Sequence, residues 1–145
     1  MGRIMAIDYG RKRVGIAVTD ELQLIANGLT TVAAHEIFTF LNSYLQHEKV
    51  DTFVVGEPQQ MNNQPSESLQ FIKPFVNSLK KKYPDIPVEM VDERFTSKMA
   101  FQTMIDAGLK KKDRQNKELV DTISATIILQ SYLSGKSIRK NQENS

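Results

Sequence analysis

The chain has no cysteine among its 145 residues, which excludes thiol nucleophiles, zinc–thiolate centres and disulfide staples. No apolar run approaches the length of a membrane span, and the N-terminus lacks the pattern of a signal peptide, so a cytoplasmic protein with no membrane partner is expected. Charge of one sign is also scarce. Lys and Arg number 19 against 17 Asp and Glu, and a formal net charge of +2 is too small to identify a nucleic-acid partner. The bases are clustered, however, at Arg11 to Arg13, Lys80 to Lys82 and Lys110 to Lys117. No internal repeat or linker interrupts the chain. Hydrophobic residues make up 40% of the chain, enough for one core at this length without metal or cross-links. One domain over residues 1–136 is expected, with a disordered polar tail over 137–145.

The N-terminal stretch Met5-Ala6-Ile7-Asp8-Tyr9-Gly10-Arg11-Lys12-Arg13-Val14-Gly15-Ile16-Ala17-Val18-Thr19 organises the rest. Two apolar runs flank a short basic turn, which predicts a β-hairpin with Asp8 at the end of its first strand. Strand alternation puts Asp8 on the face of Ile4 and Ala6, where a charge is costly unless something pairs with it. A turn-initiating role is the plainer reading of the same aspartate. Leu24 to Val32 offers a third strand, with an irregularity at Gly28. Residues 35–47 carry apolar side chains at helical spacing, and the isolated His35 and His47 read as surface or capping residues.

Asp51 to Gly56 is a short, almost continuously apolar strand of the kind buried on both faces in parallel pairing. Glu57 and Pro58 end it. Ser66 is positioned to cap a helix that closes at Lys80 to Lys82, and Pro74 should kink or break it. Pro87 to Val91 is a fifth strand, followed at once by Asp92-Glu93-Arg94. Thr96 caps a helix ended by Gly108, and a last helix runs from Glu118 to Leu133 before Gly135. The order β-β-β-α-β-α-β-α-α predicts an α/β protein. Its mixed five-stranded sheet has three antiparallel strands extended by two parallel ones, with helices on both faces.

Three carboxylates stand at element ends in this scheme: Asp8 after strand one, Glu93 after strand five, and Asp121 near the start of the last helix. Ser124 and Ala125 follow Asp121 at one-turn spacing, so its helix face is small-sided and can approach the sheet closely. Singly, each acid has a plain reading as a turn former, a surface ion pair or a helix-dipole partner. Together they form a repelling set that needs a cation, and hard carboxylate oxygens suit magnesium or manganese. Such a set can serve phosphodiester hydrolysis.

On these residues the chain resembles the YqgF family, also called RuvX, of the RNase H-like superfamily. The matching pieces are Ala6-Ile7-Asp8-Tyr9-Gly10 with Arg13 to Val18, then Val54-Val55-Gly56, Asp92 to Ser97, and Val120 to Ala125 with Ile128-Leu129. They occur in the family's order over nearly the whole chain. The resemblance implies an RNase H-like fold with Asp8, Glu93 and Asp121 as catalytic, metal-binding acids for Mg2+ or Mn2+. It implies a nuclease that matures the 5′ end of precursor 16S rRNA, with a Holliday junction resolvase acting on branched DNA as the alternative. A non-catalytic RNA-binding ribosome-assembly factor is the alternative of another class. Where the family usually has Leu, this chain has Glu57, a candidate fourth acid or a solvated loop glutamate. Arg11, Lys12, Arg94, Lys111, Lys112 and Arg114 are candidate phosphate contacts. The expected partners are RNA or branched DNA and ribosomal particles, and the protein is expected as a monomer or homodimer.

Overall fold

A computed structural model describes residues 2–57, 69–92 and 117–143. Five strands, β1 (Arg3–Tyr9), β2 (Arg13–Thr19), β3 (Ala26–Ala33), β4 (Val50–Glu57) and β5 (Val88–Asp92), form one sheet in the order β3-β2-β1-β4-β5. The first three strands pair antiparallel, and β1–β4 and β4–β5 pair parallel. This is the mixed sheet expected from the strand pattern.

Alternation along the strands separates two cores. On one face, Met5, Ile7, Val14, Ile16, Phe53 and Val55 pack against helix α1 (Ile37–His47) and helix α2 (Leu69–Lys82). On the other, Ile4, Ala6, Ala17 and Val54 pack against Ala125, Ile128 and Leu129 of helix α3 (Lys117–Glu143). The central strands β1 and β4 are buried on both sides, which explains the unbroken apolar run of β4.

Local departures from the expected pattern have identifiable causes. Gly28 lies at a register shift, since Ile16 pairs with Thr30 and Ala17 with Gly28, leaving Leu29 as the extra residue of a bulge. Pro74 does not break α2; it and Gln70, whose carbonyl it would otherwise satisfy, are both exposed, so the lost hydrogen bond leaves that oxygen next to water. Helix α3 continues through Gly135 to Glu143, so seven residues of the expected tail, 137–143, are helical. Glycine lowers helix propensity by about 1 kcal/mol without stopping a helix, and no proline follows it. His35 and His47 are both exposed. The Ser66 cap and the helix expected after Thr96 lie outside the described residues.

The β2–β3 connection is held by Asp20. Its carboxylate accepts hydrogen bonds from the backbone N–H groups of Ile25 (2.8 Å), Leu24 (2.9 Å) and Leu22 (3.2 Å), which hold its pKa below the ordinary aspartate value. At the start of the sheet, the N–H of Ile4 donates to the Thr19 hydroxyl at 2.9 Å, and that hydroxyl donates to the carbonyl of Asp20 at 2.8 Å. Thr19 is fully buried. Replacing it with the near-isosteric valine leaves the Ile4 N–H without its acceptor. Thr19→Val should therefore destabilise the fold by about 1–3 kcal/mol, and Thr19→Ser should recover most of the loss. Denaturant unfolding with a lowered midpoint and an unchanged slope is the expected result.

Candidate active site

The site begins with strand parity. Ile4 and Ala6 face α3, so alternation carries Asp8 to the same side, as the sequence pattern predicts. Asp8 is directly opposite Gly15 across the β1–β2 pair. Opposed residues of an antiparallel pair have Cα atoms about 4.5–5.5 Å apart and project to one face.

Gly15 determines what meets Asp8 on that face. A Cβ built on Gly15 would lie 2.1 Å from the backbone oxygen of Asp121 and 3.1 Å from the Asp121 Cβ. The first turns of α3 therefore rest on the bare backbone of β2, with Asp121 against the residue opposite Asp8. A second glycine repeats the contact on β3, where a Cβ on Gly28 would lie 2.7 Å from Cγ2 of Thr122. Hydroxyls tie this end of the helix down. Thr31 donates to the carbonyl of Glu118 at 2.7 Å and lies 2.6 Å from the Thr122 hydroxyl. Asp8 and Asp121, 113 positions apart by number, are thereby brought to one corner of the sheet.

Arg13 completes this corner. It lies two residues before Gly15 on the same face of β2, and its Nε donates to Oδ2 of Asp121 at 2.8 Å. Arg13 was not among the candidate site residues. The signal that could have found it is parity, since it shares its strand face with Gly15. Arg11 and Lys12 are exposed in the hairpin turn beside Asp8. The Arg11 guanidinium sits 4.1 Å from the centroid of the Phe71 ring.

Glu57 is not brought to these acids. It ends β4 on the face of Phe53 and Val55 and lines a cavity of about 240 Å³ with Ile72, Lys73, Val76, Asn77 and Met90 on the α2 side. Asp8 and Asp121 lie on the α3 side. The fourth-acid reading of Glu57 therefore loses its geometric basis, because alternation along β4 sends it to the opposite face. Val91, two residues before Glu93, packs on the α3 side. Glu93, Arg94, Lys111, Lys112 and Arg114 lie outside the described residues.

The donor set fits a hard divalent cation. Two carboxylates share one face, their oxygens suit Mg2+ or Mn2+, and one is already neutralised by a guanidinium. Among the described residues, no group of three or more ligating side chains comes together. No described helix is long and apolar enough to cross a membrane.

The mixed sheet, flanked by helices on both faces, defines an RNase H-like α/β domain. RuvC of Thermus thermophilus in complex with Holliday junction substrate has the same fold, with a TM-score of 0.54 at 14% identity over 94% of this chain and 96% of that one. A second Thermus thermophilus RuvC structure matches with a TM-score of 0.53 at 15% identity over 93% and 96% of the two chains. At such identities the likeness is one of fold. The chain belongs to the RuvX family, whose model, described as "RuvX: Holliday junction resolvase", matches residues 2–135. It is 66% identical over 136 residues to a protein of Phocaeicola vulgatus named "Putative pre-16S rRNA nuclease", covering 94% of this chain and 98% of that protein. Proteins of the same name from Bacteroides thetaiotaomicron and Flavobacterium psychrophilum are 65% and 62% identical, each over 94% of this chain and 99% of the relative.

If the close approach at Gly15 positions Asp121, a methyl group there should displace the helix. Gly15→Ala places a carbon against backbone rather than a flexible side chain, and the expected cost is about 1–3 kcal/mol or more. Cleavage should fall further than the loss of folded protein explains. Unchanged thermal stability would show that α3 can move aside freely.

Proposed function

We propose that this nuclease cuts structured RNA at the 5′ end of precursor 16S rRNA, using a divalent metal held by Asp8 and Asp121, with Glu93 as a third acid. The observation that carries the reading is the convergence of two acids on Gly15, Asp8 paired across from it in the sheet and Asp121 packed on it from α3. The substrate class is supported by the printed names of relatives that match this chain over nearly its whole length. A divalent ion bound there supplies an activated water and charge stabilisation at the phosphoryl oxygens.

The protein's own groups have separable tasks. Asp8 extends from a strand buried on both faces, so its carboxylate is fixed by the sheet rather than by a mobile loop. Asp121 is fixed by the helix backbone packed on Gly15 and by Arg13. Lys12 is exposed in the turn next to Asp8 and offers charge to phosphates without reading bases, while the Arg11 guanidinium lies over Phe71 on the α2 side. In this reading Lys111, Lys112 and Arg114, which precede the helix of Asp121 in sequence, are further phosphate contacts.

The test is a cleavage assay in Mg2+ and Mn2+ on precursor 16S rRNA, duplex DNA and a four-way DNA junction. Cleavage of the precursor RNA in preference to the others is expected. Preferential cleavage of the junction would favour the resolvase reading instead. Asp8→Asn and Asp121→Asn should each lower turnover by at least about 100-fold, on the scale of losing a group that stabilises charge in the transition state. Asp8→Asn should leave the metal-free protein folded, so that its loss of turnover is separated from loss of fold. Asp121→Asn also removes the Arg13 partner and should lower metal-free stability. Full activity in either variant would overturn the assignment.

A further inference from the structure

We propose that Arg13 is a resident counter-cation of Asp121: it holds that carboxylate in the metal-free protein and competes with the divalent ion for it. The inference rests on the metal-site reading above and deepens it. Its basis is the 2.8 Å bond from Nε of Arg13 to Oδ2 of Asp121, made between side chains only 34% and 24% exposed. Solvent screens such a pair less than it would an ion pair at the surface.

Placement makes the pair more than a surface contact. Arg13, Gly15 and the face-sharing Asp8 occupy adjoining positions of the same hairpin, and Asp121 is pressed onto Gly15. The guanidinium thus engages the Asp121 carboxylate in the corner of the sheet that Asp8 shares. Without metal it offsets the charge of Asp121 and keeps that side chain in one orientation. A divalent ion entering the same corner meets a fixed positive charge and a carboxylate already engaged. Arg13 therefore stabilises the empty site and weakens the filled one, acting on metal through Asp121 as a positioning residue.

This arrangement gives opposite signs for two measurable quantities. Arg13→Gln should lower the stability of the metal-free protein and yet bind Mn2+ more tightly, on the order of threefold to tenfold. Mere structural damage would weaken both. Arg13→Lys, which keeps the charge, should retain metal affinity close to that of the parent. In an Asp121→Asn background, Arg13→Gln should cause little further loss of metal-free stability, since the two residues act through one contact.

The experiment is calorimetric titration with Mn2+ of the parent, Arg13→Gln and Arg13→Lys after removal of metal by chelator. Thermal unfolding of the metal-free proteins, including both Asp121→Asn variants, accompanies it. Tighter Mn2+ binding by Arg13→Gln together with a lowered metal-free midpoint is the expected result. Equal or weaker Mn2+ binding by Arg13→Gln, with a parent that binds, would overturn the inference and leave the metal site standing. A parent that binds no Mn2+ would overturn the metal site and this inference with it.

Discussion

Helix α3 lies on the backbone of β2 at Gly15, so closely that no side chain fits between them, and the placement of Asp121 beside Asp8 depends on that contact. Most helix–sheet packing is spaced by side chains on both partners, as on the other face, where Phe75 and Ile72 fill the gap between α2 and the sheet. At Gly15 there is no spacer, and the Asp121 carbonyl occupies the volume a Cβ would need. Further along the helix, Ser124 and Ala125 are buried small residues that let the same close approach continue. The interface gives up the apolar area that larger residues would bury, and gains the placement of an acid from the end of the chain beside one from its start.

That gain has an electrostatic cost, which Arg13 offsets. Two carboxylates brought to one corner of a sheet repel each other, and the guanidinium bonded to one of them comes from the same hairpin that carries Asp8. The hairpin therefore supplies an acid, the gap for the helix and the counter-charge within the eight residues from Asp8 to Gly15. Such compactness explains why this stretch is so informative when read alone.

Much of the fold was legible because periodicity and burial agree. The near-continuous apolar run ending at Gly56 signalled a strand covered on both sides, and alternation over Ile4, Ala6 and Asp8 gave the face of the first acid. The small residues after Asp121 signalled a helix lying close to the sheet. Other features required three dimensions. The contact that sets Asp121 against Gly15, the residue opposite Asp8, joins segments more than a hundred residues apart that no local pattern relates. Glu57 was attractive because it follows a buried strand, but counting alternate residues from Val55 sends it to the α2 face. The same counting applied from Gly15 singles out Arg13, which the sequence shows only as the start of the second strand within a basic cluster. The continuation of α3 past Gly135 was obscured because glycine is a common but not an obligatory helix terminator.

The hairpin tip is restrained from both faces of the sheet, and this bears on how the site is preorganised. On the α2 side, the Tyr9 ring stacks on Phe75 with centroids 4.2 Å apart and planes 12° from parallel, and Arg11 lies over Phe71. On the α3 side, Arg13 is bonded to Asp121. Within the turn, the Gly10 N–H donates to the Arg13 carbonyl at 3.0 Å, and the Ala34 N–H donates to the Lys12 carbonyl at 2.9 Å. The residues after Asp8 are thus anchored on both sides of the sheet, Tyr9 and Arg11 to α2 and Arg13 to α3. A carboxylate at the end of a free strand would lose orientational entropy each time it bound a cation. Here aromatic stacking and an ion pair already restrain the chain that follows Asp8, which limits the freedom of the strand end bearing the proposed ligand.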